Sequence, residues 1–320
     1  MLDLVLAAAI AWQIQQPPSQ HSLIDAGDTF ESVGIRWSSP ATVRVRASND
    51  RQHWTAWLTL TLDGDLTDAS ESRYLSAITH LGAESRWLEV DFSAPPGDVI
   101  LTFFPPQRVA QTLLSVPAQA GGVRLRAEWG CPDGEASRVP PEYTTVTHAV
   151  VHHTAGTNEA VDWDAEVRSI WYYHVYTTGW SDIGYYFLID PNGVIYEGRA
   201  GGPGVIGAHF SCRNSNTVGI ALLGTFMTQA PTAAALHSLE LLLAAICSED
   251  HIDPTAIAFH PSSGLNLPTI LGHRDGNVPG ATCTITECPG DVLYSMLPAI
   301  RSDVAAAAGV PRARRHAVRR

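Results

Sequence analysis

Between residues 105 and 122 the chain reads "PPQRVAQTLLSVPAQAGG", with three prolines, a closing Gly-Gly and no convincing period. Before this break the apolar residues repeat with the period of strands, and after it they alternate between strand and helix periods. One layer architecture does not serve both patterns. The break therefore reads as a linker between two domains, a division that 320 residues can support.

The first domain spans residues 21–104. From residue 31 it reads as short strands, "VGIRW", "ATVRVRAS", "WLTLTLD", "WLEVDF" and "DVILTFF", separated by Ser-Ser-Pro, Asp-Gly-Asp and Pro-Pro-Gly. That spacing predicts a small all-β, sandwich-like domain. Trp37, Trp54, Trp57 and Trp87 offer either flat surfaces for sugar or core side chains, and tryptophan is usually the latter.

The second domain, 123–307, is predicted to be α/β, a mixed central sheet flanked by helices. "VTHAVVHH" is a strand. "DWDAEVRSIWYYHVY" is a helix with Asp162 as N-cap and Val167, Ile170, Trp171 and His174 on one face. "YYFLID" and "GVIYEG" flank Pro191-Asn192-Gly193 as a hairpin. "TVGIALLG" is a further strand, and a long helix runs from Thr232 to about Asp250.

Composition limits the partners. The formal charge is −12, all 20 basic residues are arginine, and five of these lie in the last ten residues; without them the rest carries −17. So acidic a body repels nucleic acid, and the basic stretch 308–320 reads as a solvated disordered tail. No apolar run reaches the roughly 20 residues needed to span a bilayer. Segment 1–20 opens "MLDLVLAAAIAW", a short apolar core with a small-residue site at Ala9-Ile10-Ala11 but no positive n-region. It reads as an atypical signal, implying a secreted or cell-envelope location, or as a buried N-terminal segment. The five cysteines, Cys131, Cys212, Cys247, Cys283 and Cys288, fit one metal ligand plus two disulfides.

Ten of the 13 histidines lie at or after His148. In "VVHHTAG", His152 shares a strand face with Val146, His148 and Val150 and sits at the open end, whereas His153 points the other way. "LGHRDG" adds His273 and "TITECPGD" adds Cys288. Two imidazoles and a thiolate suit Zn²⁺, and three protein ligands leave a fourth position for water. Taken singly, each signal is weak: a His-His pair is often structural, and a cysteine before Pro-Gly can be half of a disulfide.

Taken in order, "VVHHTAG", "GWSDIGYYFLID", "GVIYEGRA", "GAHF…N", "VGIALLGTF", "GHRD" and "TECPGD" resemble the zinc-dependent N-acetylmuramoyl-L-alanine amidases and the related peptidoglycan recognition proteins. "RAEWG" at 126–130 is similar to that family's opening segment, and the resemblance covers roughly residues 124–300. It implies His152, His273 and Cys288 as zinc ligands, Tyr185 as the active-site tyrosine and Thr286 facing the substrate. It also implies Arg199, His209 and Asn214 as residues that line or support the peptidoglycan cleft. His273 and Cys288 stand fifteen positions apart, a longer connection than relatives usually make, and the insertion holds Cys283. Thr286, Pro289 and Gly290 favour Cys288 as the ligand, which leaves Cys283 to pin the loop by a disulfide.

The implied activity is zinc-dependent hydrolysis of the amide between N-acetylmuramic acid and L-alanine in peptidoglycan or muropeptide, by a monomer. Tyr185 and Thr286 would stabilise the tetrahedral intermediate. Glu287, between two site-facing residues, is expected in solvent, and Asp182 and Glu197 to hold strand ends and loops. The rival is a recognition module that binds muropeptide without cutting it, against which the ligand cysteine argues. A general zinc peptidase is disfavoured because no His-Glu-x-x-His helix is present. For the first domain, the expectations are a cell-wall tether or an inert spacer.

Overall fold

The computed structural model describes residues 12–16, 19–60, 62, 74–76, 78–105, 122–134, 137–278 and 285–308. The start of the signal-like segment, nearly all of the linker and of the basic tail, and Cys283 lie outside the described residues. Among the described residues, no helix is long and apolar enough to cross a membrane.

The N-terminal strands are β1 (Trp12–Gln16), β2 (His21–Trp37), β3 (Val43–Ser48), β4 (Leu58–Thr59), β5 (Tyr74–Leu75), β6 (Thr79–Phe92) and β7 (Val99–Phe104). They form one antiparallel sheet in the order β1-β7-β2-β6-β3-β4, with β5 on β2. The expected sandwich is corrected in this respect: among the described residues hydrogen bonding is continuous, with no division into two sheets. The reason lies in β2, which slips register against β6 between Asp25 and Phe30 and again between Phe30 and Ser32. Such bulges bend a strand and raise its twist. Ile24 before the slips, Ala26 within the first, and Val33, Ile35 and Trp37 after them then enter one core with Val45, Val90 and Leu101. The sheet thus covers its own apolar face. Trp37 belongs to this core, with a ring 5.9 Å from Phe92. Trp54, Trp57 and Trp87 stay half-exposed, with Arg46, Arg44 and Arg51 stacked on them at 5.0, 4.7 and 4.6 Å.

The C-terminal half holds a six-stranded mixed sheet. In the order β15-β9-β12-β10-β11-β8 these strands are Ile270–Gly272, His148–His153, Thr217–Leu222, Phe187–Ile189, Ile195–Glu197 and Val123–Arg124. The first four run parallel, β11 returns antiparallel to β10 through the expected hairpin, and β8 is parallel to β11. A separate hairpin pairs β13 (Ile257–His260) with β14 (Leu265–Pro268).

Helices α2 (Ala233–Glu249) and α3 (Asp291–Ala308) bury Leu239, Leu243, Leu297 and Ile300 against Ala149, Val151, Ile220 and Leu222 on one face of the sheet. Each such side chain contributes about 1.5–3 kcal/mol on burial. Thr232 caps α2, its side chain accepting from Ala235 N. Helix α1 (Trp163–Tyr172) covers the other face, capped as expected by Asp162, which accepts from Ala165 N. It continues as a π turn, Tyr173–Thr177, the kind of insertion that collects at functional sites. Cys131, Cys247 and Cys288 are free thiols, all buried. The expectation of two disulfides is corrected accordingly: Cys131 and Cys247 are used as small apolar core residues.

The two halves share a third core. Leu75 of β5, Ile78 just before β6 and Phe104 of β7 pack with Trp129, Val167, Trp171, Tyr172 and Tyr173. Tyr173 Oη donates to Ser76 O at 3.4 Å, and a Cβ on Gly34 would lie 3.3 Å from the Tyr173 ring.

Candidate metal centre and cleft

Parallel sheets place ligand sites beyond the carboxyl ends of their strands. His152 stands at that end of β9, and His273 directly follows the same end of the neighbouring β15. Cys288 comes from the segment leading into α3. The β9 alternation sends Ala149 and Val151 toward α2 and α3, and Val150 with His152 to the opposite face. His153, which follows, turns back: its Nδ1 accepts from Phe226 N at 3.3 Å.

His152, His273 and Cys288 are all buried, with one donor atom from each within 4.8 Å of the others. Cys288 Sγ lies 3.5 Å from His152 Nδ1. Ligand atoms about 2.0–2.3 Å from one tetrahedral ion stand roughly 3.3–3.8 Å apart, so this pair is already at ligand spacing. The donor set and its spacing fit Zn²⁺. Arg274 N donates to Cys288 O at 2.9 Å and ties the two late ligand segments together.

Behind His152 stands a chain of hydrogen bonds. His152 Nε2 lies 3.0 Å from His209 Nδ1, His209 Nε2 lies 3.2 Å from Thr217 Oγ1, and Thr217 Oγ1 donates to Asn214 O at 2.7 Å. With Nδ1 of His152 given to a metal, each remaining proton in this chain has an acceptor, an arrangement that fixes ring orientation and raises ligand basicity. His209, 3% exposed, is therefore turned to His152 rather than into open cleft. Its ring lies between two glycines: a Cβ on Gly219 would fall 2.4 Å from His209 Cγ, and one on Gly207 would fall 2.6 Å from Cδ2. Asn214 holds the same loop, accepting from His209 N and Phe210 N at 2.8 and 2.7 Å.

Thr286 is 4% exposed, and its Oγ1 accepts from Cys288 N at 3.0 Å. Asn277 grips its backbone from both sides, accepting from Thr286 N at 3.1 Å and donating to Thr286 O at 2.8 Å. Glu287 is exposed, as expected. Tyr185 brings its ring 5.2 Å from His152 and 5.6 Å from His174. Arg199 is anchored on the same loop, its backbone N donating to Tyr185 O at 2.8 Å and its guanidinium to Ile183 O and Ser181 Oγ at 3.2 and 2.9 Å. Asp182 is fully buried and accepts from Arg126 Nη1, Trp171 Nε1, Ile183 N and Ala200 N at 2.8–3.1 Å. It fixes the loop that carries Tyr185 to the "RAEWG" segment.

Next to Tyr185 opens a small pocket lined by Ile78, Thr154, Gly156, Glu166, Ile170, Tyr173, His174 and Tyr185. Gly184 N donates to His174 Nδ1 at 3.2 Å, which leaves the proton of a neutral imidazole on Nε2. Burial, reinforced by Glu31 and Asp162 nearby, pushes the Glu166 carboxyl up to about 7. Sequence reasoning did not single out Glu166, Asn277, Thr217 or Gly219. For Gly219 a signal was available, since a glycine inside a strand marks the close approach of another group.

Comparison with known proteins identifies similar sequences and folds. A family model described as N-acetylmuramoyl-L-alanine amidase matches residues 142–291, a stretch that contains His152, His273 and Cys288. Peptidoglycan recognition protein 1 of Bos taurus is 31% identical over 187 residues, 58% of this chain and 86% of that protein. An N-acetylmuramoyl-L-alanine amidase of Sus scrofa is 31% identical over 193 residues, 58% of this chain and 28% of the relative. Among solved structures, peptidoglycan recognition protein LE in complex with tracheal cytotoxin, a monomeric diaminopimelic acid-type peptidoglycan, has 28% identity and a TM-score of 0.45, covering 55% of this chain and 92% of that one.

Proposed function

This chain belongs to the peptidoglycan recognition protein family, which includes N-acetylmuramoyl-L-alanine amidases, and on that premise we propose that it is a zinc-dependent amidase. Its substrate is peptidoglycan or muropeptide, cut between N-acetylmuramic acid and L-alanine. The observation that carries the reading is the buried trio of His152, His273 and Cys288 with donor atoms within 4.8 Å. Those three residues would hold zinc, which when bound acidifies a water molecule and polarises a carbonyl. Family members of both kinds, cleaving and merely recognising, make the ligand cysteine the discriminating residue, and Cys288 is present and at ligand spacing.

The surrounding side chains have separate tasks. His209 and Thr217 orient His152. Asn277 holds Thr286 beside Cys288, and the Thr286 hydroxyl, with that of Tyr185, meets the negative charge that develops on the amide oxygen. One such donor typically contributes about 100-fold to 1,000-fold in rate. Tyr185 also assists proton transfer to the leaving amine. Arg199, hydrogen-bonded to the loop that carries Tyr185, lines the peptide side of the cleft, while His209 and Asn214 act from behind it.

The protein is a monomer that works where its substrate lies, in the cell envelope or outside the cell. The 21–104 and 123–307 segments act as accessory and catalytic domains. Among the described cysteines, Cys212 is the one in disulfide form.

The test is to incubate the protein with peptidoglycan, with and without a chelator, and to weigh the products. Stem peptides with an L-alanine amino terminus, lost on chelation and restored by zinc, are the expected result. Cys288→Ser abolishes their release and Cys283→Ser spares it. Muropeptide binding without any release refutes the amidase in favour of the recognition module.

A further inference from the structure

Glu166 is 6% exposed, and among the described residues its carboxyl has no hydrogen-bond or ion-pair partner. A buried polar group without a protein partner calls for a ligand or a water. Glu166, Ile170 and Tyr173 recur at i, i+4 and i+7, so one stripe of α1 and its π turn forms a wall of the pocket next to Tyr185. That cavity, about 20 Å³, has room for about one water molecule. We propose that it stores a proton for the amide hydrolysis: Glu166, through a single water, takes up the proton released when water adds to the carbonyl and returns it through the Tyr185 hydroxyl to the departing nitrogen. This rests on the amidase reading and deepens it by assigning a residue that holds the proton between the two steps.

Amide hydrolysis needs such a holder. Addition of water forms a C–O bond and sheds a proton from the attacking oxygen, and breaking the C–N bond leaves a nitrogen that must gain one. Glu166 carries that proton from the first step to the second and ends in the state in which it began. Tyr185 stands on the route, since it lines the pocket and its ring lies 5.2 Å from that of His152. Thr154 Oγ1 accepts from Gly224 N at 3.0 Å, which leaves its hydroxyl proton to donate to the water. A buried water typically makes about three hydrogen bonds, which Thr154, Glu166 and Tyr185 together supply.

The surroundings suit reversible protonation. Ile78 and Ile170 make part of the lining apolar, which disfavours the charged carboxylate. Glu31 of β2 and Asp162 at the N-cap of α1 act in the same direction, and together with burial they push the Glu166 carboxyl up to about 7. The other titratable groups of the lining are His174, which accepts from Gly184 N through Nδ1, Tyr173, whose hydroxyl is given to Ser76 O, and Tyr185 itself. Among the described residues no arginine lines the pocket to hold the carboxylate permanently charged. A group whose proton affinity lies near the working pH both accepts and returns a proton readily.

The experiment compares full-chain wild type, Glu166→Gln and Glu166→Ala in hydrolysis of a soluble muropeptide from pH 5 to pH 8, with zinc content measured in each. Glu166→Gln is expected to lower kcat about 100-fold above pH 7 with zinc content unchanged, and the gap narrows below pH 7, where wild type already holds its proton and loses the acceptor. Formate, small enough for the space that Glu166→Ala leaves, restores the kcat of that variant several-fold, and chloride does not. Infrared difference spectra of the metal-free chain, wild type minus Glu166→Gln, read the proton directly: a carboxylic C=O band present at pH 5 fades through about pH 7. Should Glu166→Gln fail to fold, Glu166→Ala takes its place as the reference in both measurements. An unaltered kcat, a kcat gap that is constant with pH, no rescue by formate, or no carboxylic band at pH 5 overturns the proton store. A wild type that releases no stem peptide at any pH removes the amidase reading and the relay with it, whereas release that ignores Glu166 removes the relay alone.

Discussion

Gly219 offers a direct test of how the metal centre is held. Replacing it by alanine puts a Cβ 2.4 Å from His209 Cγ and 2.6 Å from Cδ2 and Nδ1, so the ring must move. It has no room to slide along the strand, since Gly207 and Gly219 flank it closely. Overpacking of this kind costs about 1–3 kcal/mol of stability. The larger consequence falls on His152, whose Nε2 loses its partner at 3.0 Å. Loss of such a partner weakens metal affinity by about 10-fold to 100-fold. Gly219→Ala is therefore expected to raise the zinc dissociation constant by at least tenfold, read by competition with a chromogenic chelator, while far-ultraviolet circular dichroism stays native. His209→Ala reaches a similar loss by deleting the partner outright. Because both act through one contact, the double variant should be little worse in zinc affinity than His209→Ala alone, and in stability better than the sum of the two. Additive losses in zinc affinity, or a Gly219→Ala protein that is less stable yet binds zinc as tightly as wild type, would refute the orienting role of His209.

Three further outcomes follow from the same coordinates. Tyr185→Phe lowers kcat about 100-fold to 1,000-fold with zinc content unchanged, measured on a soluble muropeptide; an unaltered kcat removes Tyr185 from the chemistry. Asp182→Ala strands the buried Arg126 guanidinium and destabilises the fold by about 3–5 kcal/mol in urea, whereas replacing both partners with apolar residues recovers much of that loss. For Glu166, the folded chain holds the proton more tightly than the unfolded chain, so its stabilising contribution is complete below the ordinary value of 4.5 and is lost as pH rises through about 7. Glu166→Gln should therefore gain on wild type in urea midpoint between pH 5 and pH 8; a constant difference over that range contradicts the burial argument.

How much of this was legible in the sequence depends on the range of the interaction involved. His152 and His153 could be told apart because strand alternation is local, and the cap Asp162 was readable because a cap acts three residues away. Cys288 was marked by its neighbours Thr286, Pro289 and Gly290. The single curled sheet was not legible, since "DAGDTFES" reads as a polar turn where β2 in fact bends through two register slips and continues. Helix α3 is missing from the expected elements, and Pro298 in its interior interrupts the pattern that would announce it. Glu166 has the look of a solvated helix residue, yet it is buried, with Glu31 of β2, more than 130 residues earlier, as an electrostatic neighbour. The cysteine arithmetic failed because Cys247 sits on the apolar face of α2, a place that burial alone explains.

The Arg126–Asp182 pair also decides where this protein can be cut. Residue 142, where the match to the amidase family model begins, invites a minimal fragment starting there. That fragment would discard β8, which pairs with β11, the Trp129 indole that donates to Glu197 O at 2.8 Å, and the cation facing Asp182. An uncompensated carboxylate would then lie at the centre of the loop that presents Tyr185. The smallest autonomous unit must accordingly begin at or before Val123, and shorter versions should be recovered from expression hosts mainly as insoluble material.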